Sequence, residues 1–577
     1  MVNEELAQIF DTFAHIHEIR GAKNDFFRVR SYNKVSEILR NLPKDISEYV
    51  DLEEEHMKEK IPGIGDAIEH KIVEYLKTQE VKELDELKKE IPNGLLDMLE
   101  IKNLGPKKVK KFYKELEIDS LEKLKIGLQD GSIENLKGMG QKSVAKILES
   151  LEHHEEYSKR TPLGVIYRDL QDIKEVMQSH PKTIRVDIAG SARRAKETIG
   201  DIDLLVSCGS ADRQEVLKFF EDQKFLKQIE VSGDTKITAR LHSGVQIDLR
   251  VVDEDEFGAA LQYFTGSKNH NVALRTIAKK ENYKVNEYGI YKLENDSEVK
   301  VGGKNESDIY DILGMQFVPP EIRQGNREID LALDGKIPQL VELEDIKGEL
   351  HCHSTYSDGK NSIEEMAKKA IELGYEYIAI TDHSPNLAVA NGLDESALKK
   401  KQQEIKEVSH KLNFPIMFGT EVDILADGSI DYSDSILKEF DFVIASIHVG
   451  LENKFQERIM SAIRNPHVNM IGHPTTRLIG KRKGNDLDWK EIFKACVKHN
   501  TFLEINAQPL RLDTPYQMVY EGIHEYGLKF AITTDAHNCD GLELMQMGVN
   551  YAKRGWVKKK DVLNALSYKE FINAIKK

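Results

Sequence analysis

The sequence predicts a multidomain chain of three fold types in series: an all-α N-terminal region with helix-hairpin-helix turns, a mixed α/β middle, and a C-terminal (β/α) barrel. Three observations carry this reading. Apolar residues recur at three- and four-residue spacing to about residue 157, interrupted by short glycine turns. Short strand and helix patterns alternate from about Thr161, and from residue 347 apolar strand-like runs ending in histidine or aspartate alternate with amphipathic helices.

Composition sets the bounds. At 577 residues the chain is too long for one core, and a domain size of roughly 100–200 residues gives three to five domains. Apolar residues make up 40% and charged residues 31%, which fits a folded soluble chain and excludes a disordered one. No apolar run approaches the ~20 residues of a bilayer helix, so no membrane partner is expected. The opening MVNEELAQIF has neither the basic region nor the cleavage site of a signal peptide. Cys208, Cys352, Cys496 and Cys539 include no C-x-x-C pair, which argues against a disulfide framework and against a thiolate zinc site. A cytoplasmic monomer is the expectation. The formal net charge of −16 weakens a polyanion-binding reading without excluding it, because a local basic face or a set of backbone amides is enough to hold phosphates.

The helical region divides into 1–90, a small domain, and 91–160, a second set of helices. LAQIFDTFAHIHEI and AIEHKIVEYL show the apolar spacing. The turns IPGIG, NLGPKK and GMGQK contain Gly63 and Gly65, Gly105, and Gly138 and Gly140. Each follows one apolar helix and opens another, whose first N–H groups point outward at a positive dipole end. Lys107, Lys108 and Lys142 stand where they add charge to that anion site. One such turn is ordinary helix-hairpin geometry; three in one region point to a sequence-independent grip on a DNA backbone.

From 161 to 259 the stretch RVDIAGSARRAKETIGDIDLLVS holds a strand, a glycine-serine turn, a basic helix start and a second strand. Asp201 and Asp203 are two apart on that second strand and project from one face, and VQIDLRVV places Asp248 on another strand. Three carboxylates converging on hard cations suit phosphoryl transfer from a nucleoside triphosphate. A bare D-x-D is more often a surface strand, but here Gly190 and Ser191 precede the basic cluster Arg193, Arg194 and Lys196, which could hold the triphosphate, and Gly200 stands directly before the acids. GSARR, GDIDLL, QIDLR and YFTGSKNHN resemble the nucleotidyltransferase palm and thumb of the family X DNA polymerases, and NDFFRVRSYNKVSEIL with IPGIG resembles that family's small DNA-end-binding domain.

The resemblance implies a palm over 161–259 and a thumb over 260–318, with Mg²⁺ or Mn²⁺ at Asp201, Asp203 and Asp248. It implies that Gly190, Ser191, Arg194 and Gly200 hold the triphosphate, and that Tyr263, Phe264, Thr265 and Gly266 line a sugar pocket selective for deoxynucleotides. Asn271 and Arg275 would face the incoming nucleotide and the template. Gln246 stands where animal members have an arginine and Lys268 where they have an acid, departures that bear on fidelity and efficiency. Lys71 falls at the family's Schiff-base lysine, although a lysine on an exposed helix is usually only solvated. The stretch 319–346, rich in proline and charge, reads as an extended linker.

In the last region, 347–577, His351 and His353 alternate with Cys352 on a strand and Asp358 follows on a loop. His383, Glu421, His448, His473, Asp535 and His537 stand at or just beyond the ends of later apolar runs, where a barrel's strand C-termini converge on one rim. Six histidines, two aspartates and a glutamate are too many for one ion and suit two or three Zn²⁺, Mn²⁺ or Fe ions. Such a cluster lowers the pKa of bound water toward ~7 and hydrolyses phosphate esters. H-C-H, T-D-H, G-T-E, S-I-H, G-H-P and T-D-A-H resemble the PHP (polymerase and histidinol phosphatase) family, with all nine ligand positions present. Arg477, Lys481, Arg482 and Lys483 form a basic loop near the rim.

Together the two resemblances imply a repair polymerase acting on gapped or nicked DNA and deoxynucleoside triphosphates. Its barrel would trim 3′ ends as a 3′→5′ exonuclease, with His353 and Asp358 among the catalytic groups and abasic-site cleavage and 3′-phosphate removal as further reactions. Two other readings account for part of the chain: a small-molecule phosphatase with a scaffolding front half, and a non-catalytic DNA-end-binding adaptor.

Overall fold

The computed structural model describes residues 2–576 except 23–24, 41, 43–45, 52–55, 58–60, 79, 100, 102–103, 158–159, 295–296 and 452; Asn103 of the second glycine turn lies outside the described residues. The chain forms two compact units, 1–158 and 159–577. Among the described residues no helix is long and apolar enough to cross a membrane.

The first unit is helical. Its opening helix Val2–Arg20 buries Leu6, Ala7, Phe10, Phe13 and Ala14 at helical spacing against Asp25–Arg40, each large apolar side chain contributing roughly 1.5–3 kcal/mol. The same core continues through Ile72, Phe112 and Ile147 to Leu151. The regions expected at 1–90 and 91–160 therefore share one core. A short antiparallel pair, Val50–Asp51 with His56–Met57, was not legible as strand.

The second unit begins with a five-stranded sheet in the order Thr183–Ile188, Asp201–Cys208, Gln246–Val252, Lys236–Leu241, Leu226–Ser232. The two central strands are parallel, with Asp203 opposite Asp248. Period-two alternation sends Ile202, Leu204 and Val206 into a core with the helices Leu163–Gln178 and Arg213–Glu221. It turns Asp201 and Asp203 to the face where Leu205 packs on the helix Phe257–Thr265. A three-stranded antiparallel sheet, Tyr283–Asn286, Gly289–Glu294 and Ser297–Gly302, follows the helix Lys268–Lys280.

The stretch 319–346 departs from the expected extended linker. It carries the helix Arg327–Leu333 and buries Ile322, Arg323, Glu328, Ile329, Ile337 and Leu340. Its apolar residues complete the core of Leu274, Ala278, Ile309 and Tyr310. Charge had masked the segment's buried residues, because Arg323 and Glu328 are fully buried and paired inside rather than solvated.

Seven parallel strands then follow in chain order: Gly348–Cys352, Tyr377–Ile380, Ile416–Asp423, Phe442–Ser446, Met470–Ile471, Phe502–Asn506 and Phe530–Thr533. They are buried at every position, as strands covered on both faces must be. A parallel bridge between Cys352 and Ala536 joins the first strand to the end of the last, leaving a nearly closed barrel.

Candidate functional site

At the C-terminal rim of the barrel the nine expected side chains meet. Glu421, 1% exposed, is the hub. Its Oε2 lies 3.3 Å from His351 Nε2, 3.7 Å from His353 Nε2 and 3.2 Å from His383 Nδ1. Its Oε1 lies 3.4 Å from His448 Nε2 and 2.9 Å from His473 Nε2. Asp535 Oδ1 stands 3.3 Å from His353 Nε2, and Asp358 Oδ2 stands 3.6 Å from His383 and 3.3 Å from His537. Burial pushes Glu421 up, yet the charges of His351, His448 and His383 outweigh it and hold the carboxyl well below its usual range.

The cluster fits divalent ions on three grounds. Three sets of ligand atoms lie within 4.8 Å of one another: His353, Asp358, His383 and His537; His351, His353 and Asp535; His383, Glu421 and His448. His351 Nε2, both ring nitrogens of His353 and His473 Nδ1 are buried without a hydrogen-bond partner. An unpaired buried polar atom costs about 1–3 kcal/mol, which a coordinated cation relieves.

The third ground is a supporting layer that sequence reasoning missed. His351 Nδ1 is 2.5 Å from Glu504, and His448 Nδ1 is 2.6 Å from Asp423, which turns the Nε2 of each ring toward the centre. Asp423 had a signal, since it stands two residues after Glu421 on one strand and shares its face. Beneath His383, the fully buried Lys401 pairs with Asp382 at 2.9 Å, and Asp382 holds the Ser354 amide and hydroxyl and the Ser357 hydroxyl.

On the palm, Asp203 is pushed up to about 6 by burial and then by the charges of Asp201 and Asp248, a surplus of negative charge that a cation relieves. Gly190, at φ +63°, lies so close that an added Cβ would stand 2.2 Å from Asp203 Oδ2. Asp248 accepts from Thr238 Oγ1 at 2.7 Å and pairs with Lys236 Nζ at 2.7 Å. Lys236 thus brings a cation to the carboxylate from the neighbouring strand, where Gln246 brings none. The triad is looser than the rim cluster, and every ligand set within 4.8 Å among the described residues is in the barrel.

Arg160, at the edge of the palm, is a further residue the sequence reading missed. It donates to the Thr198 hydroxyl and carbonyl at 3.0 and 2.6 Å, and its Nη1 stands 3.5 Å from where a Cβ on Gly200 would be. Arg194 follows the short helix Gly190–Arg193, which begins with Gly190 and Ser191, and donates to the Thr265 carbonyl. Arg193 is not available to a phosphate: it forms a bidentate pair with buried Glu306 at 2.8 and 2.7 Å. Tyr263 and Phe264 meet edge to face at 5.2 Å, and Gly266 adopts φ +66°. Asn271 donates to the Tyr263 carbonyl at 2.7 Å and Arg275 to the Asn271 carbonyl at 3.3 Å, so both are tied to this wall.

In the helical unit, Gly65, Gly105 and Gly140 each stand directly before a helix, and a Cβ on any of them, or on Gly138, would meet nothing within 4 Å. These glycines leave open space over helix N-termini. Gly63 takes φ +100° and Gly138 φ +84°, which explains glycine there. Lys107 is 89% exposed. Lys71 is largely buried and its Nζ is engaged by Glu83 at 2.7 Å.

Comparison with known proteins agrees with this architecture. Residues 1–81 match a helix-hairpin-helix domain family and 95–152 a SAM-like helix-hairpin-helix tandem. Residues 260–324 match the DNA polymerase beta thumb and 349–508 the PHP domain. The chain is 38% identical over 576 residues to the DNA polymerase/3′-5′ exonuclease PolX of Bacillus subtilis, covering 99% of this chain and 98% of that protein. It is 24% identical over 346 residues to DNA polymerase lambda of Rattus norvegicus, covering 56% of each. It is 30% identical over 201 residues to a probable phosphatase of Caldicellulosiruptor saccharolyticus, covering 33% of this chain and 79% of that protein. The chain belongs to the bacterial family X DNA polymerases that carry a PHP domain.

Proposed function

We propose that this chain fills short gaps in DNA by template-directed deoxynucleotide addition and trims 3′ ends in the 3′→5′ direction. The single observation that carries the proposal is the presence in one folded unit of an aspartate triad and a nine-residue rim cluster, each with its own supporting groups. In the palm, Asp201, Asp203 and Asp248 hold Mg²⁺ or Mn²⁺, which when bound neutralises charge on the attacking and leaving oxygens. Gly190 lets the triphosphate turn close against Asp203, and Ser191, Arg194 and Gly200 receive the phosphates. Tyr263, Phe264, Thr265 and Gly266 form the sugar wall, with Asn271 and Arg275 behind it.

In the barrel, His351, His353, Asp358, His383, Glu421, His448, His473, Asp535 and His537 hold two or three Zn²⁺, Mn²⁺ or Fe ions, which when bound supply hydroxide near neutral pH. Glu504 and Asp423 fix the tautomers of His351 and His448. The open glycine turns at Gly63–Gly65, Gly105 and Gly138–Gly140, with Lys107, grip the phosphate backbone without reading bases. The protein works as a cytoplasmic monomer.

The test is one incubation of the purified chain with a labelled one-nucleotide-gapped duplex and Mn²⁺, with and without deoxynucleotides. Extension is expected to vanish in Asp203→Ala while trimming persists, with the reverse in His353→Ala. Loss of both activities in both variants would refute two independent sites.

A further inference from the structure

The segment 194–197 connects the glycine-serine turn to Gly200 and the aspartates, and its conformation is unusual. Ala195 sits at φ +49°, a region that residues with a Cβ adopt only when their surroundings hold them there. Part of the hold is local: the Lys196 amide donates to the Ser191 carbonyl and the Arg194 guanidinium to the Thr265 carbonyl. The rest comes from the barrel. Arg554, at the end of the helix Met545–Arg554, donates to the Arg194 carbonyl at 2.8 Å. Glu197 Oε1 accepts from the Tyr551 hydroxyl at 2.7 Å and from Arg477 at 2.9 Å, and Arg477 also donates to Tyr551. Gly164 packs so tightly on the barrel loop that a Cβ would stand 2.3 Å from Pro509 Cα.

Arg554 is 6% exposed, lies 4.3 Å over the Tyr516 ring, and has a buried Nε without a hydrogen-bond partner. Its guanidinium adds to a cluster of cations. Burial first, and then the charges of Arg554, Arg323 and Arg160, push Arg194 down to about 10. A polyanion beside Arg194 relieves that crowding.

We propose that the barrel residue Arg554, seconded by Tyr551 and Arg477 through Glu197, is a positioning residue of the polymerase site. It holds the 194–197 segment so that Gly190, Ser191 and Arg194 present themselves to the triphosphate of an incoming nucleotide. The hydrolytic barrel is then also a structural wall of the nucleotide pocket. This inference rests on the polymerase reading above.

The experiment is a deoxynucleotide titration of gap filling by the full chain, with Arg554→Ala, Arg554→Lys and Tyr551→Phe beside the unaltered protein. Equilibrium binding of a fluorescent deoxynucleoside triphosphate and 3′ trimming are measured on the same samples. Arg554→Ala is expected to raise KM and weaken nucleotide binding by about tenfold while kcat changes by less than about threefold. Arg554→Lys is expected to recover part of the loss and Tyr551→Phe to show a smaller rise in KM, with trimming unchanged in all three. Unaltered KM and nucleotide affinity in Arg554→Ala would overturn the inference alone. If Arg554→Ala does not fold, the inference stands or falls on whether Arg554→Lys and Tyr551→Phe raise KM. Failure of the unaltered chain to extend DNA would remove the polymerase reading and the inference with it.

Discussion

Glu306 is 7% exposed and faces two guanidinium groups, Arg193 at 2.8 and 2.7 Å and Arg323 at 2.6 Å. Replacing it with Gln leaves the fully buried Arg323 and the partly buried Arg193 without this counter-charge, a loss of about 3–5 kcal/mol for a buried pair broken on one side. Burial alone pushes the Glu306 carboxyl up, but Arg323 and Arg193 outweigh it and bring it from 4.5 down to about 2. At ~1.36 kcal/mol per pH unit this is about 3 kcal/mol, so the two routes agree.

The sign follows from the lowered value. The contribution is complete above about 4.5, where the unfolded carboxyl is also ionised, and is lost as pH falls from there toward about 2. Urea unfolding of the full chain is followed by tryptophan fluorescence, in a Trp489→Phe background so that the signal comes from Trp556, which packs on the same core as Tyr310. Glu306→Gln is expected to lose about 3 kcal/mol at pH 7, with the gap to the unaltered protein narrowing below pH 4.5. A loss under about 1 kcal/mol at pH 7, or a gap that does not narrow in acid, would refute the reasoning.

Two further outcomes are expected. Gly190→Ala places a Cβ against Asp203 at a positive φ and is expected to cut extension by at least ~100-fold, with 3′ trimming retained; near-normal extension would show the close approach to be unimportant. Asp423→Asn removes the acceptor that orients His448 and is expected to lower metal content or trimming by ~10–100-fold while extension persists, read by elemental analysis and a single-strand digestion assay.

The rim cluster was legible because most of its ligands stand near or just beyond the end of an apolar run, and period two along a strand tells which residues share a face. The same reasoning placed Asp201 and Asp203 together. The roles that escaped it belong to contacts between residues far apart in the chain. Glu197 and Tyr551 are 354 residues apart, and Arg193 and Glu306 are 113 apart, so nothing in either local pattern announces the other. Arg193 therefore read as a phosphate ligand beside Arg194, when its partner is a buried carboxylate. Glu504 escaped for a related reason, since a single acid in an apolar strand carries no motif of its own.

The folded stretch 319–346 has a practical consequence for anyone dividing this protein. A cut at 346 to free the barrel removes the Val341 amide from the Val557 carbonyl and Glu342 from Lys553, and strips Trp556 of the apolar side chains it rests on. A cut at 318 to free the polymerase half opens the core that Ile322, Ile329 and Leu340 close, and leaves Glu306 without Arg323. Either fragment is expected to expose a raw apolar face and aggregate, so the activity of an isolated half would measure the damage of the cut as much as the chemistry of the site.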